Sequence, residues 1–148
     1  MIYITLFISC SQNQKPNTIK ENVTVTKEIR KIASNVDDNF TTFLQTFSQD
    51  SIFQITRVKF PLKTTQWEDP ETGVVTNLLG VTEYSALDFT YPKDALTRKY
   101  DRYTQKINIT ENSCVVQIRG IDNGIFTDFF FEKLSGKWFL VSWDEKST

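Results

Sequence analysis

The chain has 148 residues, which allows one domain whose core is large enough to need no disulfide or metal for stability. Seventeen basic and eighteen acidic residues leave a net charge of −1, and the basic residues form no long run, which argues against nucleic acid as a partner. The sequence contains no histidine, which excludes a Ser-His-Asp triad, a Cys-His nucleophile and a His-ligated zinc site. We therefore predict no metal site and no cofactor, and no catalytic site can be recognised.

The N-terminus begins with a short apolar stretch, residues 1–9, that is followed by Cys10. This stretch is too short to span a bilayer, which takes roughly 20 residues, but it suits the apolar region of a signal peptide. Phe7-Ile8-Ser9 before Cys10 resembles a bacterial lipobox, in which a small residue precedes the acylated cysteine. Two features depart from the lipobox pattern: Phe7 stands where Leu is usual, and no basic residue precedes the apolar stretch. A truncated or wrongly assigned start codon would explain the missing basic residue. The alternative is an N-terminal strand that happens to end in a cysteine.

The segment after Cys10 is polar and contains no aromatic residue as far as Asn22, which favours the lipobox over the strand. We predict a signal peptide over residues 1–10, lipidation of Cys10, a flexible tether over residues 11–26 and a single α+β domain over residues 27–148. The protein is then expected to be exported and held on the periplasmic side of the bacterial envelope, at the outer membrane. Its lipid anchor would be its only contact with the membrane.

Two helices are predicted at the start of the domain. Apolar residues recur at spacings of three and four, which predicts one bent amphipathic helix or two shorter ones; they are Ile29, Ile32, Val36, Phe40, Phe43, Leu44 and Phe47. Asp37 or Asp38 is a candidate N-cap within this stripe. Ser51 and Gln54 have capping-box spacing and predict a second, short helix.

From Arg57 onward the pattern is typical of strands. A Pro- and Gly-containing turn and several short connections separate apolar runs, which predicts neighbouring antiparallel strands over residues 58–65, 74–81, 100–110, 113–119, 125–133 and 137–143. Residues 88–98 are ambiguous, with Pro92 able to start a short helix over residues 93–96. Cys114 lies in an apolar run and is predicted to be a core thiol. Together these elements predict N-terminal helices packed on a curved antiparallel sheet.

The last two strands are apolar on both faces, so both faces of the sheet are expected to be covered. The helices would cover one face, and the other would line a cavity or contact a partner. In the first of these strands Phe129 and Phe131 alternate with Phe126 and Phe130. In the second, Trp138 and Leu140 alternate with Phe139, Val141 and Trp143.

The run Phe53-Gln54-x-x-Arg57-x-x-Phe60-Pro61-Leu62, with the apolar helix before it and the closing strand over residues 138–143, resembles a bacterial family of unknown function. Its members are small secreted or lipid-anchored proteins, and the resemblance covers about residues 36–145. The resemblance implies the nuclear transport factor 2-like fold, also called cystatin-like, in which a bent sheet wraps a long helix into a cone. That fold carries enzymes such as ketosteroid isomerase as well as ligand-binding domains. No catalytic motif of those enzymes can be carried over residue by residue.

The sequence favours a non-catalytic binding module for a small molecule or a peptide, with an apolar cone-shaped pocket. The candidate ligand-binding residues are aromatic side chains with a polar tip and two aspartates, namely Trp67, Tyr84, Asp88, Tyr91, Tyr100, Tyr103 and Asp128. For each aromatic residue the alternative is packing in the sheet or exposure at the surface.

Two other functions stay open at this point. An acid–base enzyme would use Asp88 or Asp128, if burial among apolar neighbours raised the pKa of either carboxyl group. Alternatively these aspartates point outward or pair with Arg57 or Arg119, and Arg57 is expected to be a buried arginine with Asp88 or Asp128 as its partner. A protein–protein interaction domain would use the second apolar face of the sheet, and would give a homodimer.

Overall fold

The computed structural model describes residues 36–146, which form two short helices followed by six strands. The helices are α1 (Phe40–Gln49) and α2 (Ser51–Thr56), and the strands are β1 (Val58–Trp67), β2 (Val74–Leu79), β3 (Tyr103–Ile109), β4 (Ser113–Gly120), β5 (Phe126–Leu134) and β6 (Lys137–Glu145). The predicted α+β class and all six predicted strands are therefore present. The predicted signal peptide, the lipidation site Cys10, the tether and the helical stripe before Val36 lie outside the described residues. No helix within residues 36–146 is long and apolar enough to cross a membrane.

Each helix is capped by a polar residue other than the one that the sequence pattern suggests. The side chain of Asn39 accepts hydrogen bonds from the backbone N–H groups of Thr41 and Thr42 and caps α1, so the prediction of Asp37 or Asp38 as the cap is wrong. Asp50 caps α2 in the same way, and Ser51 is the first residue of that helix. Asp37 is instead buried, where it pairs with Arg57.

The six strands form one sheet in the order β2-β1-β6-β5-β4-β3. Sequential neighbours pair antiparallel, as predicted from their short connections, but β1 and β6 pair parallel at the centre of the sheet. The sheet is therefore mixed, and the prediction of a purely antiparallel sheet is wrong at this junction. Turn residues determine how strands adjacent in sequence pair, and they carry no information about a pairing between the first strand and the last.

The connection between β2 and β3, residues 80–102, contains no helix or strand. The short helix predicted after Pro92 does not form. In its place the backbone N–H groups of Thr97 and Arg98 both bond to the carbonyl of Asp94, which gives a series of turns. Ala95 is nevertheless fully buried, so the connection lies against the domain.

The core is a cluster of aromatic rings between α1 and the inner face of the sheet. Phe131 on β5 is 1% exposed, and its ring contacts those of Phe40, Phe43, Phe47 and Phe89 at centroid distances of 5.2 to 5.9 Å, mostly edge to face. Burying each such ring contributes about 1.5–3 kcal/mol, so this cluster accounts for much of the packing of helix on sheet.

A β-bulge changes which face Trp143 occupies. Phe130 lies opposite Ser142 and Phe131 lies opposite Leu140, so Val141 is an extra residue in β6. After this bulge the alternation is shifted by one, and Trp143 lies opposite Phe129, with ring centroids 5.9 Å apart at the margin of the core. The prediction that Trp143 shares a face with Val141 is therefore wrong.

The outer face of the sheet is more polar than its sequence suggests. Phe126 is 37% exposed, and the guanidinium of Arg119 lies 3.6 Å from its ring centroid. Arg119 also donates to Asp128 at 2.6 Å, and Asp128 accepts a further bond from Gln117. Phe130 on the same face is half-buried.

Arg57 is a buried arginine, as predicted, but its partner is Asp37. Both terminal nitrogens of Arg57 donate to the two carboxylate oxygens of Asp37 at 2.9 Å, and the backbone N–H of Trp138 donates to the same carboxylate. The ion pair therefore joins the start of the described chain to the beginning of β1 and of β6. The predicted partners Asp88 and Asp128 lie elsewhere.

Candidate functional site

A groove lies between α1 and β3. Its volume is about 310 Å³, at the lower end of the range found for small-molecule sites. It is lined by Thr41, Leu44, Gln45, Ser48, Gln49, Phe89, Thr90, Gln105 and Ile107.

Regular periodicity places most of these side chains. Five lie on α1 at spacings of three and four, which puts them on one stripe of the helix, and Gln105 and Ile107 are two apart on β3 and share the inner face of the sheet. Leu44 and Phe89 are each 5% exposed and form an apolar floor. The amide groups of Gln45, Gln49 and Gln105 add polar atoms to this apolar surface.

The third wall of the groove is the backbone around Phe89, which side chains hold in place. The N–H of Phe89 donates to the hydroxyl of Ser48 at 3.0 Å, and its carbonyl accepts from the amide nitrogen of Gln105 at 3.1 Å. The hydroxyl of Ser48 donates in turn to the carbonyl of Leu44 at 2.8 Å. The groove is therefore closed on one side by a loop that is bonded to both the helix and the strand.

The buried side chain of Gln54 also bonds to the loop that contains Phe89, at Leu87. Gln54 is 1% exposed, and its amide nitrogen donates to the carbonyls of Phe47 and Leu87. Its amide oxygen accepts from the hydroxyl of Tyr84 and from the N–H of Leu87, each at 2.7 Å. All four hydrogen-bonding positions of the Gln54 amide are thus used, and burial raises the pKa of Tyr84 well above its ordinary value.

None of the side chains that line the groove is charged. The amide oxygen of Gln105 is buried and has no hydrogen-bond partner, although its amide nitrogen bonds to Phe89. An unpaired buried acceptor costs about 1–3 kcal/mol, so a nearby donor would be favourable. Residues 36–146 contain no cluster of acidic, Cys or His side chains that could hold a metal ion.

None of the residues predicted from sequence to bind a ligand lines this groove, although two of them lie next to lining residues in the chain. Tyr91 follows Thr90, and Tyr103 shares the inner face of β3 with Gln105. The rings of Tyr91 and Tyr103 are in edge-to-face contact, with centroids 5.5 Å apart, and the Tyr91 hydroxyl donates to the carbonyl of Tyr103.

The other predicted aromatic residues are dispersed. Trp67 ends β1 and is 42% exposed, while Tyr100 is 68% exposed beside the ammonium of Lys99. Tyr84 packs edge to face on Phe60 and bonds to the buried glutamine.

The two predicted aspartates have structural partners outside the groove. Asp88 is exposed and accepts a hydrogen bond from the N–H of Thr90, two residues on. Asp128 is paired with Arg119 on the outer face of the sheet. These are the outward-pointing and ion-paired alternatives given above, so neither carboxylate lies in an apolar cavity.

Comparison with known proteins gives a family and a fold. A model of a domain of unknown function, DUF4348, matches residues 13–145. An NTF2-like (nuclear transport factor 2-like) protein from Bacteroides fragilis is 22% identical with a TM-score of 0.55; the match covers 74% of this chain and 47% of that one, so the chain spans about half of that protein's length. A cystatin-like protein from Bacteroides caccae is 24% identical with a TM-score of 0.52, over 71% of this chain and 74% of that one. A search of curated proteins gives no match. The fold implied by the sequence resemblance, NTF2-like or cystatin-like, is thus confirmed.

Proposed function

We propose that this chain, which belongs to the DUF4348 family of unknown function, binds a small organic molecule in the groove between α1 and β3. The observation that carries this proposal is a cavity of about 310 Å³ with an apolar floor and amide and hydroxyl groups around it. Such a combination is the usual form of a small-molecule site, because the apolar surface supplies affinity and a few polar groups fix orientation.

The part of the ligand inside the groove should be uncharged. A charged group there would lose its hydration without meeting an opposite charge, since no lining side chain is ionisable in the neutral range. Amides both donate and accept hydrogen bonds, so Gln45 and Gln49 suit a ligand that carries N–H, O–H or carbonyl groups.

The proposal assigns binding and not catalysis. The lining contains no acid, base or thiol, and the Ser48 hydroxyl already bonds to the carbonyl of Leu44 and the N–H of Phe89. A nucleophilic hydroxyl needs an adjacent base, which the lining does not supply.

The test uses two adjacent threonines as a matched pair. Thr41 and Thr42 are both exposed in the first turn of α1, but only Thr41 lines the groove. A thermal-shift screen of uncharged amides and hydroxylated compounds should find ligands that raise the melting temperature, because a ligand that binds only the folded form stabilises it. Thr41→Trp should fill the groove and abolish this shift, and Thr42→Trp should retain it. If the two variants respond equally, the ligand binds elsewhere and the proposal fails.

We also propose that the protein is exported and anchored by a lipid at Cys10. The support is the apolar stretch over residues 1–9, the small residue Ser9 before Cys10, and the polar segment that follows. The polar segment over residues 11–26 would serve as the tether between the anchor and the domain. Stable anchoring requires more than one acyl chain, as in acylated bacterial lipoproteins.

A further inference from the structure

We infer that the groove takes an amide-containing ligand whose carboxylate lies beside Arg98. This inference rests on the proposed binding function and specifies the chemical group at one end of the ligand. We extend the ligand path past Thr90 and Gln105, which line the groove, along the rings of Tyr91 and Tyr103, which contact each other. Tyr103 and Gln105 share one face of β3 at about 7 Å along the strand, so the ring of Tyr103 continues the surface that Gln105 begins.

Arg98 lies over this extension. Its guanidinium carbon is 5.0 Å from the ring centroid of Tyr103, and its Nε donates to the carbonyl of Asp101 at 3.0 Å. Asp101 itself has a φ of 51°, a left-handed conformation that Asp tolerates better than most residues, and this turn directs its carbonyl to Arg98. The Arg98 side chain is thus oriented by a ring and by a backbone carbonyl.

The two terminal nitrogens of Arg98 have no acidic partner. The ion pairs among residues 36–146 are those of Arg57, Arg102 and Arg119, and no acidic side chain is within ion-pair distance of Arg98. A guanidinium held in one orientation presents two parallel N–H donors, which match the two oxygens of a carboxylate. The cation is only half-buried, so a ligand can reach it.

The chemistry of the ligand follows from the charge distribution along this surface. The groove is uncharged and rich in amides, and the guanidinium of Arg98 lies over the ring of Tyr103, two residues along β3 from the lining residue Gln105. A compound with an apolar and amide-bearing body and one terminal carboxylate complements both parts. Acylated amino acids and the C-terminal ends of short peptides have this composition.

The test compares N-acetyl-leucine with N-acetyl-leucinamide, which differ only in the terminal charge. We expect NMR titration of the full chain to give a dissociation constant for the acid at least about tenfold lower than for the amide, since a charge-assisted hydrogen bond is worth about that factor. Arg98→Gln should remove this difference without weakening the amide. Lys93→Gln removes a positive charge from the same connection and should leave the difference intact.

The outcomes separate this inference from the proposed function. If the acid and the amide bind equally, and Thr41→Trp abolishes both, the groove is a binding site but Arg98 does not select a carboxylate. If neither compound binds, the ligand class is wrong, while the screen with Thr41→Trp and Thr42→Trp still decides whether the groove binds anything. Because the two compounds are compared on the unmodified protein, the result does not depend on Arg98→Gln being well folded.

Discussion

Removing the carboxylate of Asp37 should destabilise the domain far more than removing a carboxylate from a surface ion pair. Asp37 is 6% exposed and Arg57 is 9% exposed, and the carboxylate accepts two bonds from Arg57 and one from the backbone of Trp138. Asp37→Ala leaves a buried guanidinium without a counter-charge and a buried N–H without an acceptor. The expected loss is about 3–5 kcal/mol, which is typical for breaking one side of a buried ion pair.

The double variant Asp37→Leu/Arg57→Met shows whether Asp37→Ala loses stability because a buried charge is left unpaired or because packing is lost. It removes the buried charge together with its partner, so we expect it to be more stable than Asp37→Ala, with a residual loss of about 1–3 kcal/mol from the unpaired N–H of Trp138. Asp122→Asn is the control, because Asp122 pairs with Arg102 at 2.7 Å at the surface and Asn tolerates its left-handed φ of 56°. This variant should cost at most about 1 kcal/mol.

The measurement is urea unfolding of the three variants, with a change in midpoint at an unchanged slope taken as the change in stability. On heating, Asp37→Ala should melt roughly 10–20 °C lower than the unmodified chain. The reasoning is refuted if Asp37→Ala and Asp122→Asn lose similar amounts of stability, or if the double variant is less stable than Asp37→Ala.

Three further predictions concern other parts of the molecule. Gln54→Leu should lower stability by about 2–4 kcal/mol in urea unfolding, because it leaves the Tyr84 hydroxyl and three backbone groups near the groove without their partner; a loss under 1 kcal/mol would contradict the hydrogen-bonding role given to Gln54. Burial raises the pKa of the Cys114 thiol from 9.0 to about 12. The free energy of unfolding should therefore fall between pH 9 and pH 12, by up to about 1.4 kcal/mol per pH unit, because only the unfolded thiol ionises in that range. Cys114→Val should weaken this fall, and an equal fall in both proteins would refute the prediction. Cys10→Ala should move the protein from the membrane to the soluble periplasmic fraction in a bacterial host, and membrane retention would count against the lipid anchor.

Most of the strands could be predicted because their signals are local. The strand expected over residues 113–119 is β4 (Ser113–Gly120), and the turn before β2 forms with Asp69 accepting from two backbone N–H groups and Gly73 at a φ of 74°. Alternation of apolar residues and the conformational preferences of Gly and Asp depend on a few neighbouring positions. These features can therefore be predicted without knowing which distant segments they contact.

The parts that could not be predicted depend on contacts between distant positions. The parallel pairing of β1 with β6, the bulge at Val141 and the partner of Arg57 are each decided by packing between segments that are far apart in sequence. Asp37 illustrates the difficulty. Its position before the second half of the apolar stripe is typical of a helix cap, which contributes about 1 kcal/mol. A buried guanidinium requires a counter-charge, and that requirement outweighs the cap.

The groove was missed because its lining comes from three separate segments, and because Gln45 and Gln49 look like the solvent face of an amphipathic helix. One signal could have pointed to it, namely the long connection between the strands predicted over residues 74–81 and 100–110, for which only a short helix after Pro92 is predicted; a connection of this length in a compact domain is often functional. Ordering a loop costs about 1–2 kcal/mol per residue in backbone entropy. This chain offsets part of that cost with Gln54, Ser48 and Gln105, which all bond to the backbone of Leu87 or Phe89. A connection that only joined β2 to β3 would not need three side chains from the helices and the sheet to hold one stretch of it against the cavity. We therefore include the wall at Phe89 in the proposed binding site.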